Sequence, residues 1–268
     1  MAKETISSLQ HSLVKNVVRL QQKASARREQ NLFVIEGRRE VSLALKAGIR
    51  PINVIICDEI YAPEKSYEID LSEISDVVTP VTKGVYEKIA YRGDTQGVIM
   101  IAPQPQTTLK EITLPKNPMV IVLESVEKPG NLGGILRTAD AAGVDAIIVC
   151  DPHTDIFNPN VIRSGLGCLF SIPVALCTND EAYKWLNENK IKIFSASLQA
   201  AKWYHETDLT GAVAMAFGSE SKGLTQFWYD VADKAIQIPM LGKIDSLNVS
   251  TSVAVMVYEA QRQRGFKS

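Results

Sequence analysis

Histidine is scarce in this chain, and cysteine is neither abundant nor paired. The three histidines, His11, His153 and His205, lie far apart, and the four cysteines, Cys57, Cys150, Cys168 and Cys177, show no Cys-x-x-Cys spacing. Zinc sites need clustered His and Cys ligands, so no metal is expected. The scattered thiols read as buried and reduced. No uninterrupted apolar run approaches the ~18 residues of a membrane span. No apolar h-region follows the first basic residue, so no secretory signal is expected and the protein reads as cytoplasmic. A formal net charge of −1 excludes a wholly basic nucleic-acid binder.

What is present is an ordinary globular composition, 46% hydrophobic and 22% charged over 268 residues. That length suits two domains or one large one. Charge is unevenly spread: residues 1–50 hold ten Lys/Arg against four acids, an excess of six. Such asymmetry points to a polyanionic partner. Leu13, Val17 and Leu20 repeat at helical spacing, which predicts an amphipathic helix from 12 to about 24. Lys15, Arg19, Lys23 and Arg27, each four apart, then form a basic stripe on a different face. Strand 32–35, helix 38–46, strand 52–56, an irregular acidic region from Asp58 to Asp76, helix 83–90 and strand 97–101 follow. Together they suggest a small α/β domain over 1–105. The Pro-rich, polar run from Pro103 to Thr108 reads as a linker, placed over 106–116.

From Met119 the pattern lengthens into a second domain over 117–268. Strands are expected over 120–123, 146–150, 172–176, 191–196, 212–217 and 235–238, with helices over 132–142 and 181–189. In a last helix Val249, Val253, Met256, Val257 and Ala260 share one face. Such spacing is what a mostly parallel sheet with crossover helices requires.

In open parallel α/β sheets the ligand sits beyond the carboxyl ends of the strands. Three turns leave such ends. The first runs from Glu124 through Gly130-Asn131-Leu132-Gly133-Gly134 to Arg137. Its glycines allow close backbone approach, Asn131 suits a helix cap, and the Arg137 fork suits phosphate or carboxylate. Alone, it describes a capped helix with a surface arginine equally well. Its glycine spacing is not the dinucleotide G-x-G-x-x-G, which sets aside a nicotinamide-dependent oxidoreductase. The second is Phe217-Gly218-Ser219-Glu220-Ser221-Lys222-Gly223, where a Glu between glycines can orient a hydroxyl or ammonium group. The third runs from Ile238-Pro239-Met240 to Ser246-Leu247-Asn248-Val249-Ser250. Its small hydroxyl and amide side chains either cap the last helix or hold a polar ligand against free backbone N–H groups.

In order and content, the three turns resemble the motifs of the SpoU family of RNA ribose 2′-O-methyltransferases, within the SPOUT superfamily. The resemblance covers roughly residues 117–265. Lys15, Arg27-Arg28 and Phe33-Val34-Ile35-Glu36-Gly37 also look like the RNA-binding domain that precedes the catalytic domain in ribosomal-RNA members. The resemblance implies methyl transfer from S-adenosylmethionine to a ribose 2′-hydroxyl of ribosomal RNA, most naturally that of the large subunit. It also implies a C-terminal trefoil-knotted, mostly parallel sheet and a homodimer formed through the knotted domain. Asn131, Arg137, Glu220, Ser246 and Asn248 match the family's polar catalytic site. Gly218, Ile238, Met240, Leu247, Ser197 and Leu198 would hold the cofactor. Lys15, Arg19, Lys23, Arg27, Arg28, Arg38 and Arg163 are the candidate RNA contacts.

In the family Arg137 is often cast as the base. An arginine, with a pKa above 12, is a poor proton acceptor. A grip on the nucleotide phosphate that also stabilises developing alkoxide suits it better. One departure stands out: where relatives often show Arg-x-Ser-x-Gly, this chain reads Arg163-Ser164-Gly165-Leu166-Gly167, so a hydroxyl contact at position 165 has no side chain to make it. Alternative readings are a transfer-RNA methyltransferase of the same family and a catalytically silent RNA-binding ribosome-assembly factor.

Overall fold

The computed structural model describes residues 4–62, 67–91, 96–198, 200 and 202–266. The chain divides into two compact units, Met1–Pro105 with Asp155–Ser171, and Gln106–Thr154 with Ile172–Ser268. The first unit is thus discontinuous. It takes in a short piece of the stretch expected in the second domain.

In the first unit, helices α1 (Ser12–Gln22) and α2 (Ala24–Gln30) lead into strand β1 (Leu32–Glu36) and helix α3 (Arg38–Lys46). Strands β2 (Asn53–Ile56) and β3 (Val78–Pro80), helix α4 (Lys83–Ile89) and strand β4 (Val98–Pro103) follow. The sheet order is β1-β4-β2-β3, with β4 antiparallel to both its neighbours and β2 parallel to β3. Val14, Val17 and Leu20 from α1 pack with Val34, Ile55, Ile99 and Ile101 from the sheet. β3, a three-residue edge strand, lies just beyond the acidic region and has no periodic signal of its own.

The helix expected from 12 to about 24 stops at Gln22. Lys23 is extended (φ −119°, ψ 113°), and a separate helix restarts at Ala24. A four-residue spacing keeps side chains on one face only within an unbroken helix, so Arg27 leaves the stripe. It is 2% exposed. Its guanidinium donates to Asp155 Oδ2 at 2.6 Å and to the Leu20 and Gln21 carbonyls at 2.6 and 3.2 Å. Arg27 therefore organises the interior of this unit, its buried guanidinium already committed to these three acceptors.

Asp155 opens the inserted piece, in which helix α6 (Pro159–Ser164) begins behind an Asn158 cap. Phe157 lies 4.9 Å from Phe33, ring centroid to centroid, and Phe170 lies 6.0 Å from the same ring. Gly167 sits at φ +79°, and a side chain there would come within 3.1 Å of the Glu40 Cα on α3. These aromatic and backbone contacts, with the Arg27–Asp155 pair, explain why the segment belongs to the first unit.

In the second unit, strands β5 (Met119–Glu124), β6 (Ala146–Cys150), β7 (Val174–Cys177), β8 (Lys192–Ala196), β9 (Val213–Phe217) and β10 (Lys234–Ile236) form one parallel sheet. Their order is β10-β8-β9-β5-β6-β7. β5, β6 and β9 are buried throughout, as strands covered on both faces must be. Helices α5 (Pro129–Ala141), α7 (Asn179–Glu188), α8 (Gln226–Val231) and α9 (Val249–Gln263) complete the unit. Pro129 starts α5, where its missing N–H costs nothing. A Thr178–Glu181 capping box starts α7. The stretch expected as a linker holds Leu109, Ile112 and Leu114 against this core, and the Leu176 N–H donates to the Thr107 carbonyl. Among the described residues no helix is long and apolar enough to cross a membrane.

Removing one partner of a buried ion pair strands the other charge, at a cost of roughly 3–5 kcal/mol. Arg27→Ala is expected to destabilise the first unit on that scale, and Arg28→Ala by less than about 0.5 kcal/mol. Hydrogen exchange of the β1 and β4 amides in the two variants measures the difference.

Candidate active site at the carboxyl ends of the parallel strands

Strand order reverses direction at β5. The chain moves outward through β6 and β7, then crosses to β8 and fills in β9 between β8 and β5. A crevice opens beyond the strand ends at such a switch point. Here it is a cavity of about 850 Å³, within the range of small-molecule sites, lined from the ends of β8, β9 and β10 and the start of α9.

Three sequence-distant turns meet at this cavity through hydrogen bonds. The Glu220 carboxylate, in the turn after β9, accepts from the Glu127 N–H at 3.0 Å and the Lys128 N–H at 3.3 Å, both in the turn after β5. It also accepts from the Asn131 side-chain amide at 2.5 Å. The Asn131 carbonyl oxygen in turn accepts from Asn248 Nδ2 at 3.1 Å. Asn248 caps α9, its own oxygen accepting from the Ser250 N–H at 2.9 Å and hydroxyl at 2.6 Å. Ser221 adds a second tie between the first two turns by donating to the Glu127 carboxylate.

Glycine is required at position 218. A Cβ there would lie 1.9 Å from the Gly223 carbonyl carbon and 2.1 Å from the Leu224 nitrogen. The Ser219–Gly223 turn closes on itself through paired backbone bonds of 3.1 and 2.9 Å. Any side chain at 218 would force this turn open. Gly134 of α5 faces Ser250 of α9, and a Cβ there would sit in ordinary contact, 3.5 Å from that of Ser250.

Of the candidate cofactor contacts, Gly218, Ile238, Met240, Leu247, Ser197 and Leu198 all border the cavity, as do Glu220, Ser246 and Asn248. Asn131 is one hydrogen bond behind the wall. Arg137 is exposed on α5 and is not part of the lining. Leu198, Ile238, Met240, Leu247 and Val249 give an apolar side suited to an adenine. Exposed backbone and small hydroxyls give a polar side suited to ribose and an amino-acid tail. The lining thus fits S-adenosylmethionine. Gln226 and Tyr229 also line it, from α8, a short helix without a usable sequence period.

A buried Glu124 underpins the same corner. It accepts from Asn179 Nδ2 at 2.6 Å, the Thr225 N–H at 2.7 Å and the Thr225 hydroxyl at 2.7 Å, and Trp228 Nε1 donates to Asn179 at 2.9 Å. In the first unit, Lys15, Lys23 and Arg28 are exposed, whereas Arg19 pairs with Glu29 at 2.7 Å and the half-buried Arg163 with Glu36 at 3.6 Å. Arg38 is half-buried at the start of α3.

Burial works against ionisation of Glu220. The donors from Glu127, Asn131 and Lys128 outweigh it and hold the carboxyl below its ordinary 4.5. A depressed folded-state pKa gives stability that is present above the unfolded value and is lost as pH falls through the folded one. Glu220→Gln should therefore cost on the order of 1 kcal/mol at pH 7, the low end for a charged hydrogen bond because the group is partly exposed. The difference from wild type should shrink as pH drops below 4.5. Urea unfolding followed from pH 3 to pH 7 checks both.

Residues 118–258 match the SpoU rRNA Methylase family, and residues 11–100 match the MRM3-like substrate binding domain. A Bacillus subtilis protein named 23S rRNA (guanosine(2553)-2′-O)-methyltransferase is 29% identical over 258 residues, spanning 94% of this chain and 97% of its own. A crystal structure of an RNA 2′-O ribose methyltransferase superposes with a TM-score of 0.82 at 34% identity, covering 97% of this chain and 99% of that one. An AdoMet-bound rRNA methyltransferase from Sinorhizobium meliloti gives 0.84 at 28% identity, covering 97% of both chains. With its three motifs bonded around one cavity and more than half its length matched, the chain belongs to the SpoU methylase family.

Proposed function

We propose that this protein transfers a methyl group from S-adenosylmethionine to a ribose 2′-hydroxyl of ribosomal RNA, most naturally that of the large subunit. The carrying observation is the bonded chain Glu220–Asn131–Asn248, which draws the turns after β5 and β9 and the start of α9 around one cavity.

When bound, the cofactor supplies a methyl on a cationic sulfonium, which departs as a neutral thioether and needs little assistance. What remains for the protein is alignment of donor and acceptor and easier loss of the hydroxyl proton. Gly218, Ile238, Met240 and Leu247 would seat the adenosine, with Ser197 and Leu198 beside it. Glu220 is a poor candidate for the base, because its ionised carboxylate is already committed to three donors. Its role in this reading is to hold the cradle in shape. Ser246 borders the cavity with a hydroxyl able to orient the sugar, and Asn248, its amide committed to Asn131 and Ser250, shapes the same wall. Arg137 would grip the phosphate next to the acceptor sugar and stabilise developing alkoxide. Lys15, Arg19, Lys23, Arg28 and Arg38 would contact RNA phosphates elsewhere, with Arg19 and Arg38 weaker for being paired or half-buried.

The same reading carries a trefoil knot in the C-terminal sheet, a homodimer formed through that unit, and a cytoplasmic location. Leu241, Ile244 and Tyr258, at 97%, 63% and 45% exposure, are apolar surface of the second unit that a second copy would cover.

Mapping ribose methylation across ribosomal and transfer RNA, with and without the gene, tests the function. Loss of one 2′-O-methyl mark from large-subunit RNA is the expected result. Loss from transfer RNA alone would move the substrate, and unchanged maps would end the proposal. Arg137→Lys should lower kcat/KM by on the order of tenfold to a hundredfold, since an ammonium cannot reproduce a bidentate fork. Single-turnover tritium transfer measures it, and near-full rate with unaltered RNA affinity would remove Arg137 from the site.

A further inference from the structure

Lys128 and Lys222 are the cationic side chains among the residues that line the cavity, and Glu220 is the anionic one. Both lysines are exposed. Among the described residues neither ammonium group takes part in an ion pair or a hydrogen bond. Their backbones are nonetheless fixed. The Lys128 N–H donates to Glu220 at 3.3 Å, and the Lys222 N–H donates to the Ser219 hydroxyl at 3.2 Å. The Ser221–Glu127 and Glu220–Asn131 bonds tie the two turns that carry them. Two point charges on long stems thus project from two anchored sites on one rim, while the nearby carboxylates of Glu127 and Glu220 are already taken up by donors.

Charge balance identifies what they face. S-adenosylmethionine carries a sulfonium and an ammonium against one carboxylate, so it enters the cavity with a net positive charge. The Glu220 carboxylate offsets one of the two lysines, which leaves the lining with one cation in excess facing a cationic donor, a repulsion that a further anion would relieve. The acceptor brings that anion, because a ribose 2′-hydroxyl is flanked by phosphates on its own strand. We propose that Lys128 and Lys222 form a phosphate clamp that positions the acceptor nucleotide at the donor, a role resting on the methyltransfer reading above. They are positioning residues that touch the substrate's phosphate, not the reacting atoms. The clamp is electrostatic and independent of base identity, so it fixes register while sequence is read elsewhere.

The test compares wild type with Lys128→Gln, Lys222→Gln, the double variant, and the double Arg variant. Total ribosomal RNA from cells lacking the gene serves as acceptor, and tritiated S-adenosylmethionine as donor. For the double Gln variant, KM for RNA should rise about tenfold at physiological salt, and the salt slope of RNA binding should flatten by roughly 0.7 for each single-strand phosphate no longer neutralised. Affinity for S-adenosylmethionine without RNA, measured by calorimetry, should stay the same or tighten. The double Arg variant should recover most of the RNA KM. Weaker donor binding with unaltered RNA KM would assign the lysines to the donor's carboxylate and overturn the clamp. So would no change in either quantity. A wild-type protein that bound no donor, or transferred no methyl to this RNA, would instead defeat the methyltransfer reading itself.

Discussion

The Glu220 carboxylate gathers donors from two backbone N–H groups after β5 and from the Asn131 amide, and through Asn131 it reaches the cap of α9. Everything that shapes the cavity depends on this gathering. The turns it joins lie about ninety residues apart in the chain, and each alone is a short polar loop of the kind that moves freely on protein surfaces. Once tied, they hold the Gly218 cradle open on one side and the α9 start in place on the other. An acceptor with several donors also stays ionised, so at neutral pH the tie is charge-assisted.

Beneath it, Glu124 makes a comparable arrangement inside the protein. Its two oxygens serve Thr225 at the start of α8 and Asn179 at the start of α7, and Asn179 passes the connection to the indole of Trp228. Anions are favoured at helix starts, where N–H groups lack partners. One buried carboxylate at the end of β5 therefore sets the entry of two helices, and one of these, α8, delivers Gln226 and Tyr229 to the cavity wall.

The sequence made legible whatever follows from local rules. Continuous apolar runs marked the strands of the parallel sheet within a residue or two, and α3 fell at its expected 38–46. Asn131, Glu220 and Asn248 stood out because glycines and small polar residues cluster around them at strand ends. Contacts across long separations were not legible. Arg27 reads as a stripe member until Lys23 turns out to be extended and Asp155, 128 residues away, neutralises it. The inserted helix α6, six residues long, gives no periodicity to detect. Nothing local to Glu127 and Lys128 announces that Ser221 and Glu220 will meet that turn.

The first unit is built from two stretches, Met1–Pro105 and Asp155–Ser171. Phe33, Arg27 and the Glu40 backbone each find a neighbour in that returning piece. A single cut after Pro105 would thus leave a fragment with an unmatched guanidinium and an unfilled aromatic niche, and a remainder carrying bare Phe157 and Ile162. Exchange of this unit between relatives therefore has to move both stretches together.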